Sequence, residues 1–430
     1  MPRAGNSGKV WPMSGSILLT NARLIDGTGT EPRLGWELLI ENGRICRSAP
    51  SGTVVAEMTP DPERLRVIDL AGATVLPGFI DAHTHMTTVP GGDKLEMLTA
   101  PTSLKTLRAV PFLRNTLAAG VTTVRDLSGA DAGMKMALEE GSIEGPRVQV
   151  ALRILSITGG HGDWRTIGGT DLTGGSDGGA IADGVDGFVR ATREVVREGA
   201  DWIKIAASGG MGSPRSSPEY GGLSFDEIKA VVGEAERHGV AGVAAHAQGR
   251  RGISDAVRAG VRSVEHGYWI DDRTIEEMGS RGTYLVPTLA TLTRPIPVDS
   301  MSPEAVLVRR EWNDRAQERL QVAISSGIEV VLGTDAGIVG HGQNLRELAL
   351  LVEYGLSPMD AILAGTSRAA RMCGLDHLVG TIAEGMVADL VVSVSDPLED
   401  PSCLAESGGI SLVMQSGIVV GEHICHGRLK

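Results

Sequence analysis

The sequence predicts an α/β protein: a (β/α)8 TIM barrel with a small β-sandwich domain built from both ends of the chain. Between positions 76 and 376, short apolar strand-like runs alternate with helical stretches, which is typical of α/β folds. Outside this region, short strands separated by N-G and D-G turns follow one another without helices. The length of 430 residues accommodates one smaller domain beside a barrel of roughly 250–300 residues.

These patterns also place the boundaries. Residues 1–15 are expected to be a disordered N-terminal extension, so that Met13 is an alternative start. Residues 16–75 and 377–430 are predicted to form the composite β-sandwich, and residues 76–376 the barrel. A Gly- and Asp-rich segment after the third strand, beginning ITGGHGDW, is predicted to be a loop over the active site. The eight predicted barrel strands are TVLPGFIDAH, GVTTVRDLS, RVQVALRILS, DWIKIAAS, VAGVAAHA, SVEHG, TYLVPTL and EVVLGTDAG.

Composition excludes several classes of protein. A formal net charge of −13 argues against a nucleic-acid partner, because phosphate binding needs clustered Lys and Arg. The chain has no uncharged apolar run long enough to span a membrane, and its first residues lack the apolar core of a signal peptide. Its scattered cysteines are expected to be reduced. We therefore expect a cytoplasmic enzyme with a small-molecule substrate, and a homo-oligomer, which is common for such barrels.

His83 and His85 are two residues apart at the end of the first predicted barrel strand. Alternate residues of a strand face the same side, so both imidazoles are expected to point the same way. A lone H-x-H pair is weak evidence for a metal. Its position is more informative, because barrel enzymes keep their chemistry at the C-terminal ends of the strands.

Four more residues of suitable chemistry lie in or at the end of other predicted strands: Lys204, His246, His266 and Asp335. A lysine inside an apolar strand is costly unless it is paired or chemically altered. Taken alone, Lys204 is compatible with a snorkelling or salt-bridged side chain, and His266 with a core histidine. The joint pattern of histidines, one lysine and one aspartate at the rim predicts a metal site.

This constellation resembles the amidohydrolase superfamily and, within it, the branch with two metals. The resemblance covers nearly the whole chain, from NARLIDGTG through GFIDAHTH and GTDAG to TIAEGMVADLVVSVSDPLED. It implies two divalent ions, and the ligand types favour Zn²⁺ while remaining compatible with Mn²⁺, Co²⁺ or Fe²⁺. In that family His83, His85 and Asp335 would hold the first ion, His246 and His266 the second, and N-carboxylated Lys204 would bridge both.

The resemblance also implies a mechanism. Two metals would share a bridging hydroxide at neutral pH, and one of them would polarise the scissile carbonyl. Asp335 would take the proton and pass it to the leaving nitrogen. N-carboxylation would convert the buried Lys204 cation into an anionic ligand, which accounts for a lysine at this position.

Two further stretches, TGGHG and KIAASGGMGSPRSSPEY, resemble the prolidase, carboxypeptidase-like and ochratoxin-hydrolysing enzymes of that branch. There His161 would hydrogen-bond the substrate carbonyl, Tyr220 would assist at that oxygen or at a substrate carboxylate, and Arg215 would pair with the carboxylate. The alternatives are that Arg215 is a solvated loop residue and that His161 caps the Gly-rich turn. His341 is a candidate for substrate or structural contacts, and Asp126 is expected to make structural hydrogen bonds at the rim.

The leading hypothesis is hydrolysis of an amide bond in a dipeptide or an N-acyl amino acid. A second hypothesis keeps the same site and assigns it a carbamate, thiocarbamate or phenylurea substrate. A third is a mononuclear enzyme, a deaminase or an imidazolonepropionase-like ring opener, which needs no bridging lysine. A metal-free scaffold resembling the dihydropyrimidinase relatives is disfavoured, because all six ligand positions are occupied.

Overall fold

The computed structural model describes residues 15–54, 65–172, 179–211 and 217–422. The predicted N-terminal extension up to residue 14 lies outside the described residues, as does Arg215. Short β-strands and α-helices alternate through the middle of the chain, and strands predominate near its ends. The strands are β1 Ser16–Leu24, β2 Arg33–Glu41, β3 Arg44–Pro50, β4 Leu65–Asp69, β5 Thr74–Pro77, β6 Phe79–Thr84, β7 Val121–Asp126, β8 Arg147–Val150, β9 Ile154–Ser156, β10 Ala180–Ile181, β11 Ile203–Ala206, β12 Val243–Ala247, β13 Ser263–His266, β14 Tyr284–Val286, β15 Leu390–Ser393, β16 Ile410–Gln415 and β17 Ile418–Glu422.

Most of the helices follow the parallel strands, and several begin with a polar N-cap. Before Phe225, Ser224 and Glu227 form a complete capping box, which satisfies backbone donors that have no partner within the helix. The helices are α1 Lys94–Thr99, α2 Thr102–Ala118, α3 Ala132–Glu139, α4 Gly184–Arg197, α5 Phe225–Arg237, α6 Arg250–Ala259, α7 Asp272–Arg281, α8 Leu289–Leu292, α9 Pro303–Ser325, α10 Arg346–Glu353, α11 Pro358–Ala364 and α12 Ser367–Cys373.

Strands from both ends of the chain share one eight-stranded mixed sheet. Its order is β17-β16-β15-β5-β1-β2-β3, and β4 pairs with β1 in parallel. The antiparallel pairing of β15 with β5 joins the C-terminal strands to the N-terminal ones, with Val391 opposite Leu76. This common sheet agrees with the pairing of both ends that the sequence predicts, while its division into a separate β-sandwich domain stays a prediction.

The middle of the chain forms parallel sheets, which confirms the predicted α/β class. The described strands make one sheet of order β6-β7-β8 and another of order β10-β9-β11-β12-β13-β14. The predicted eighth strand is not continuous, but it bridges β14 at Leu285–Val330 and meets the end of β6 at Thr84–Ala336. The closed barrel therefore stays a prediction.

The first predicted barrel strand is divided at Gly78. Residues Thr74–Pro77 pair within the mixed sheet, and Phe79–Thr84 pair with β7 in the parallel one. A Cβ at Gly78 would lie 2.3 Å from Oγ1 of Thr122, so the absence of a side chain allows the chain to pass from one sheet to the other. The boundary that the sequence places at residue 75 thus falls inside β5.

Several apolar clusters hold these layers together. The largest one lies between the parallel strands and their helices and includes Phe79, Val124 and Ile205. A smaller cluster, including Leu38 and Leu390, packs on the mixed sheet. Burial of such side chains is the main favourable contribution to folding. Within the described residues, no helix is both long enough and apolar enough to cross a membrane.

Candidate metal centre and active site

The parallel strands bring the predicted ligands into one cavity. The histidines and Lys204 sit in a parallel strand or directly after one, and Asp335 precedes the isolated bridge of Ala336 with the end of β6. These side chains therefore emerge at the same edge of neighbouring strands. His83, the fifth of the six residues of β6, is buried, and Lys204 is buried in β11. The cavity has a volume of about 250 Å³, and its lining includes His83, His85, His161, Lys204, His246, His266 and Asp335.

His83, His85 and Asp335 form a cluster whose candidate ligand atoms all lie within 4.8 Å of one another. The Nε2 atom of His85 is 3.2 Å from Oδ1 of Asp335, and Nε2 of His83 is 3.5 Å from the same oxygen. Burial alone would raise the pKa of Asp335. The hydrogen bond with His85 and the charges of the two histidines outweigh it and hold that pKa well below its usual range. Asp335 is thus held as a carboxylate.

The other ring nitrogen of each histidine in this cluster is held by a protein group. Nδ1 of His83 lies 2.8 Å from Oε2 of Glu265, and Nδ1 of His85 lies 3.0 Å from the carbonyl oxygen of Ser128. A carbonyl oxygen only accepts, so His85 donates from Nδ1 and its Nε2 faces the cavity. The carboxylate of Glu265 assigns the same tautomer to His83. Such contacts orient the imidazole ligands of metal sites.

Two further histidines extend the cluster. The rings of His83 and His266 are 5.0 Å apart, and those of His266 and His246 are 4.7 Å apart. Nδ1 of His266 donates to Oγ1 of Thr288 at 2.8 Å, whereas Nε2 of His246 donates to the carbonyl oxygen of Gly209 at 3.2 Å. His266 therefore keeps Nε2 available as a ligand, and His246 keeps Nδ1. Burial lowers the pKa of His266 to about 4, which favours the neutral imidazole that metals bind.

The Nζ atom of Lys204 is buried and has no hydrogen-bond partner among the described residues. Burial lowers the pKa of Lys204 to about 8, even though Glu265 opposes this shift. A buried amine without a hydrogen-bond partner raises the free energy of the folded protein. The same amine, once N-carboxylated, would present anionic oxygens among the histidines. The unpartnered Nζ atom, and the three imidazoles whose pKa burial lowers (His83, His246 and His266), therefore fit a pair of divalent ions with a carboxylated lysine. At His85 burial acts in the same direction, but the hydrogen bond with Asp335 and the charge of that carboxylate outweigh it and raise the pKa.

Backbone conformation also marks this site. His266 has a φ of +72° and Asp335 a φ of +62°, a left-handed region that residues other than Gly adopt at a cost. Such strain persists where the surrounding structure enforces it, and it concentrates at functional sites. In Asp335 the backbone N–H donates to the carbonyl oxygen of His83 at 2.8 Å. This bond ties the aspartate to the strand that carries the first histidine pair.

The site's composition agrees with the family to which the whole sequence is similar. The model of the amidohydrolase family matches residues 74–420 of the chain. The chain belongs to the amidohydrolase family. This confirms the family that the motifs indicate, and with it a hydrolase.

Individual relatives are similar to this amidohydrolase over most of their length. Ochratoxinase of Aspergillus niger is 32% identical over 369 residues, which cover 80% of this chain and 75% of that protein. The crystal structure of another amidohydrolase matches with a TM-score of 0.85 at 35% identity, over 95% of this chain and all of that one. The structure of a prolidase complexed with N-methylphosphonate-L-proline matches with a TM-score of 0.83 at 31% identity, over 95% and 100% of the two chains.

Of the predicted substrate-binding residues that the structure describes, His161 lines the cavity of this amidohydrolase, whereas Tyr220 and His341 do not. His161 stacks on His246 with ring centroids 4.0 Å apart. Tyr220 is 72% exposed and lines a separate surface depression. His341 does not line the cavity; it donates from Nε2 to the carbonyl oxygen of Thr88 at 2.9 Å. Arg215 lies outside the described residues, so its predicted role, like those of Tyr220 and His341, stays a prediction.

Asp126 makes the structural hydrogen bonds that the sequence predicts at the rim. Its carboxylate accepts from the backbone N–H groups of Met86 at 2.6 Å, Ser128 at 3.1 Å and Ala130 at 3.0 Å. One of these donors follows the H-x-H pair, and Ser128 holds the His85 ring. Asp126 therefore fixes both the backbone that follows the H-x-H pair and the loop whose Ser128 carbonyl holds the His85 ring.

Sequence reasoning missed a fully buried charged pair below the site. The guanidinium of Arg125 donates to Glu265 at 2.9 Å and to the carbonyl oxygen of Ala82 at 2.6 Å. It also stacks over the ring of Trp202, 4.4 Å from the ring centre. The available signal was the presence of charged residues inside apolar strands, VRD and VEH, which is costly without partners.

Proposed function

We propose that this protein is a dinuclear metal-dependent hydrolase that cleaves an amide bond in a dipeptide or an N-acyl amino acid. The observation that carries the proposal is the meeting of four histidines, Lys204 and Asp335 in one cavity. Each histidine has one ring nitrogen held by a protein group outside this set. The similarity to ochratoxinase and to a prolidase supports an amide as the target bond.

His83, His85 and Asp335 would hold one ion, His246 and His266 the other, with carboxylated Lys204 between them. Imidazoles with carboxylate oxygens suit Zn²⁺. When bound, the ions would supply Lewis-acid activation of water and of the scissile carbonyl. The protein's own contribution is to orient the four imidazoles and to keep three of them neutral by burial, those of His83, His246 and His266. It also leaves the Asp335 carboxylate in contact with His83 and His85.

Asp335 is the group placed to move the proton. Its carboxylate remains ionised when buried, because His85 and His83 stabilise the charge. It would accept a proton from the attacking water and deliver it to the leaving nitrogen, which must be protonated to depart. His161, which stacks on His246 in the same cavity, would donate a hydrogen bond to the carbonyl oxygen as negative charge develops there.

The placement of these groups also favours the closed barrel. The segment that leads to Asp335 bridges both parallel sheets, at Val330 on one side and Ala336 on the other. We propose that it acts as the eighth strand of a (β/α)8 barrel, with residues 16–75 and 377–430 as the accompanying β domain. The ligands would then lie at the C-terminal mouth of the barrel, where this fold carries its active sites.

A second function has support from the outer part of the cavity. Its lining is largely apolar and includes Met97, Trp164, Leu292 and Ile296. Apolar walls suit a hydrophobic carbamate, thiocarbamate or phenylurea, which the same metal centre would hydrolyse. The two functions differ in whether the substrate carries a free carboxylate.

A panel of dipeptides, N-acyl amino acids, carbamates and phenylureas tests the proposal with metal-replete protein, using chromatographic detection of both products. We expect hydrolysis of a carboxylate-bearing amide and its loss in Asp335→Asn. Asp226→Asn, an exposed change at the first turn of α5, should retain full activity. Turnover confined to neutral carbamates or ureas would favour the second function, and turnover of no amide would contradict the first.

A further inference from the structure

Two arginines line the same cavity as the histidines. Arg294 follows α8, and Arg309 lies in α9. Asn313 also lines the cavity, four residues after Arg309 and therefore on the same face of the helix. This part of the wall thus presents two guanidinium groups and one amide, in contrast to the apolar side chains around it.

The two guanidinium groups are close enough to affect each other. Burial lowers the pKa of Arg309, and the positive charge of Arg294 lowers it further. The same charge of Arg294 acts on the phenol of Tyr268, which is buried and also lines the cavity. Arg309 is half-buried and Arg294 is exposed, so the pair lies on the solvent side of the cavity. Like charges this close repel each other, so the arrangement favours an anion between them.

Nothing acidic in the described part of the wall satisfies this pair. Arg309 donates from Nη1 to the carbonyl oxygen of Met211 at 3.1 Å, and no ion pair of either arginine is found among the described residues. The acidic residue among the described lining is Asp335, which is held by the two histidines.

A shortage of acids does not explain these unpaired arginines. The chain has 53 Asp and Glu against 40 Lys and Arg. Other arginines do find partners: Arg147 pairs with Asp389 at 2.9 Å, and Arg368 with Glu329 at 2.9 Å. A pair left without an acid in an otherwise acidic protein, and facing the reaction site, is what an anionic ligand requires.

We infer that Arg294 and Arg309 bind a free carboxylate of the substrate and so select carboxylate-bearing amides. Guanidinium groups match the two oxygens of a carboxylate, which gives strong, directional hydrogen bonds. The inference rests on the proposed amide hydrolysis, and it places carboxylate recognition on the segment from α8 to α9. The sequence-based prediction, by contrast, assigned contacts with the substrate carboxylate to Arg215 and Tyr220.

The test uses ketomethylene analogues of an N-benzoyl amino acid and of several dipeptides, in which a CH₂ group replaces the amide NH so that no hydrolysis occurs. Each analogue is prepared with a free C-terminal carboxylate and as the neutral carboxamide. Calorimetry measures the Kd of both forms for metal-replete wild type, Arg294→Gln, Arg309→Gln and Arg309→Lys. Arg310→Gln, an exposed neighbour on α9 that does not line the cavity, is the matched control.

We expect wild type to prefer the carboxylate form of at least one analogue. Each Gln variant should weaken that form by about 10- to 100-fold and leave the carboxamide within about twofold, with Arg309→Lys intermediate. Equal weakening of both forms would overturn the inference, as would the absence of any carboxylate preference in wild type. Hydrolysis of the parent amides is measured separately, so that carboxylate-selective binding without hydrolysis would contradict the proposed function while supporting the arginine pair.

Discussion

The Nδ1 atom of His83 and the Oε2 atom of Glu265 lie 2.8 Å apart, and both side chains are excluded from solvent. The carboxylate accepts from Nδ1 and so leaves Nε2 facing Asp335. Arg125 pairs with the other oxygen of Glu265 at 2.9 Å. One buried carboxylate therefore links the orientation of a candidate ligand to the charge balance of the surrounding strands.

Replacement of Glu265 by Gln should weaken metal binding and stability together. The amide removes the charge that fixes the His83 tautomer, so we expect metal affinity to fall by about 10- to 100-fold. It also leaves Arg125 buried without its counter-ion, at a cost of about 3–5 kcal/mol in the free energy of unfolding. Competition with a chromogenic chelator and urea unfolding measure the two effects. Glu234→Gln is the control, because the buried Glu234 pairs with Arg193 on a neighbouring helix, away from the cavity. Unchanged metal affinity in Glu265→Gln would contradict the role of Glu265 in orienting His83.

Gly210 should tolerate no side chain without loss of activity. A Cβ at this position would lie 2.6 Å from Cε1 of His161 and 3.0 Å from Nε2 of His246. Gly210→Ala should therefore displace His161, lower kcat at least tenfold and weaken binding of a second metal, because these rings are packed against each other. Steady-state kinetics and metal analysis give both numbers.

Gly233→Ala supplies the contrast, because nothing lies within 4 Å of a Cβ in that part of α5. It should leave kcat unchanged and stabilise the fold by about 0.5–1 kcal/mol. Full activity in Gly210→Ala would show that the two rings do not need their present positions.

His161→Asn should separate catalysis from metal binding. If His161 donates to the developing oxyanion, its loss should lower kcat by about 10²- to 10³-fold. Metal content should remain within the error of wild type, because the candidate ligands are all retained. Mass spectrometric metal analysis beside kinetics decides the matter, and a drop in metal content that accounts for the lost activity would assign His161 to the metal site instead.

Glu347 gives a prediction on the pH dependence of stability. Burial raises the pKa of Glu347 to about 8, even though it accepts from the backbone N–H groups of Ala290 and Leu289. An unfolded glutamate has a pKa of about 4.3, so between about pH 4 and pH 8 the unfolded chain releases this proton first. The contribution of Glu347 to the free energy of unfolding therefore falls as pH rises through this window.

Glu347→Gln removes this titration. The free energy of unfolding of the variant, relative to that of wild type, should therefore rise by a few kcal/mol, as an order of magnitude, between pH 5 and pH 8. Urea unfolding of both proteins at the two pH values measures the difference, with the exposed change Glu236→Gln as control. A difference that stays constant with pH would show that Glu347 ionises normally in the folded protein.

The sequence predicted that the candidate ligands would lie together, because a strand-end position constrains where a side chain points, and in the structure they line one cavity. His83, Lys204 and Asp335 come from distant parts of the chain, yet parallel pairing brings them to one edge. The same reasoning could not assign partners. Glu265 lies 182 residues from His83, and nothing in either local pattern indicates which carboxylate faces which ring.

Loop residues were harder to place for a different reason. Hydrophobic periodicity sets which face of a strand is buried but does not set the path of a Gly-rich loop. Tyr220 was therefore predicted near the substrate, whereas the structure leaves it exposed. No sequence pattern indicated Arg294 or Arg309. Arg294 lies in an irregular segment, and Arg309 lies in a helix with an irregular apolar pattern. Their proximity to the site depends on the tertiary fold.

The most direct test of the two-metal site is the metal content and activity of Lys204→Ala beside wild type. Elemental mass spectrometry should find about two ions per chain in the wild type, because two histidine pairs and Lys204 line one cavity. The variant should hold one ion or fewer and lose at least about 10³-fold in kcat, with Lys229→Ala, on α5 outside the cavity, unchanged. About one ion per chain in both proteins, with full activity in Lys204→Ala, would contradict the dinuclear site and favour a mononuclear hydrolase.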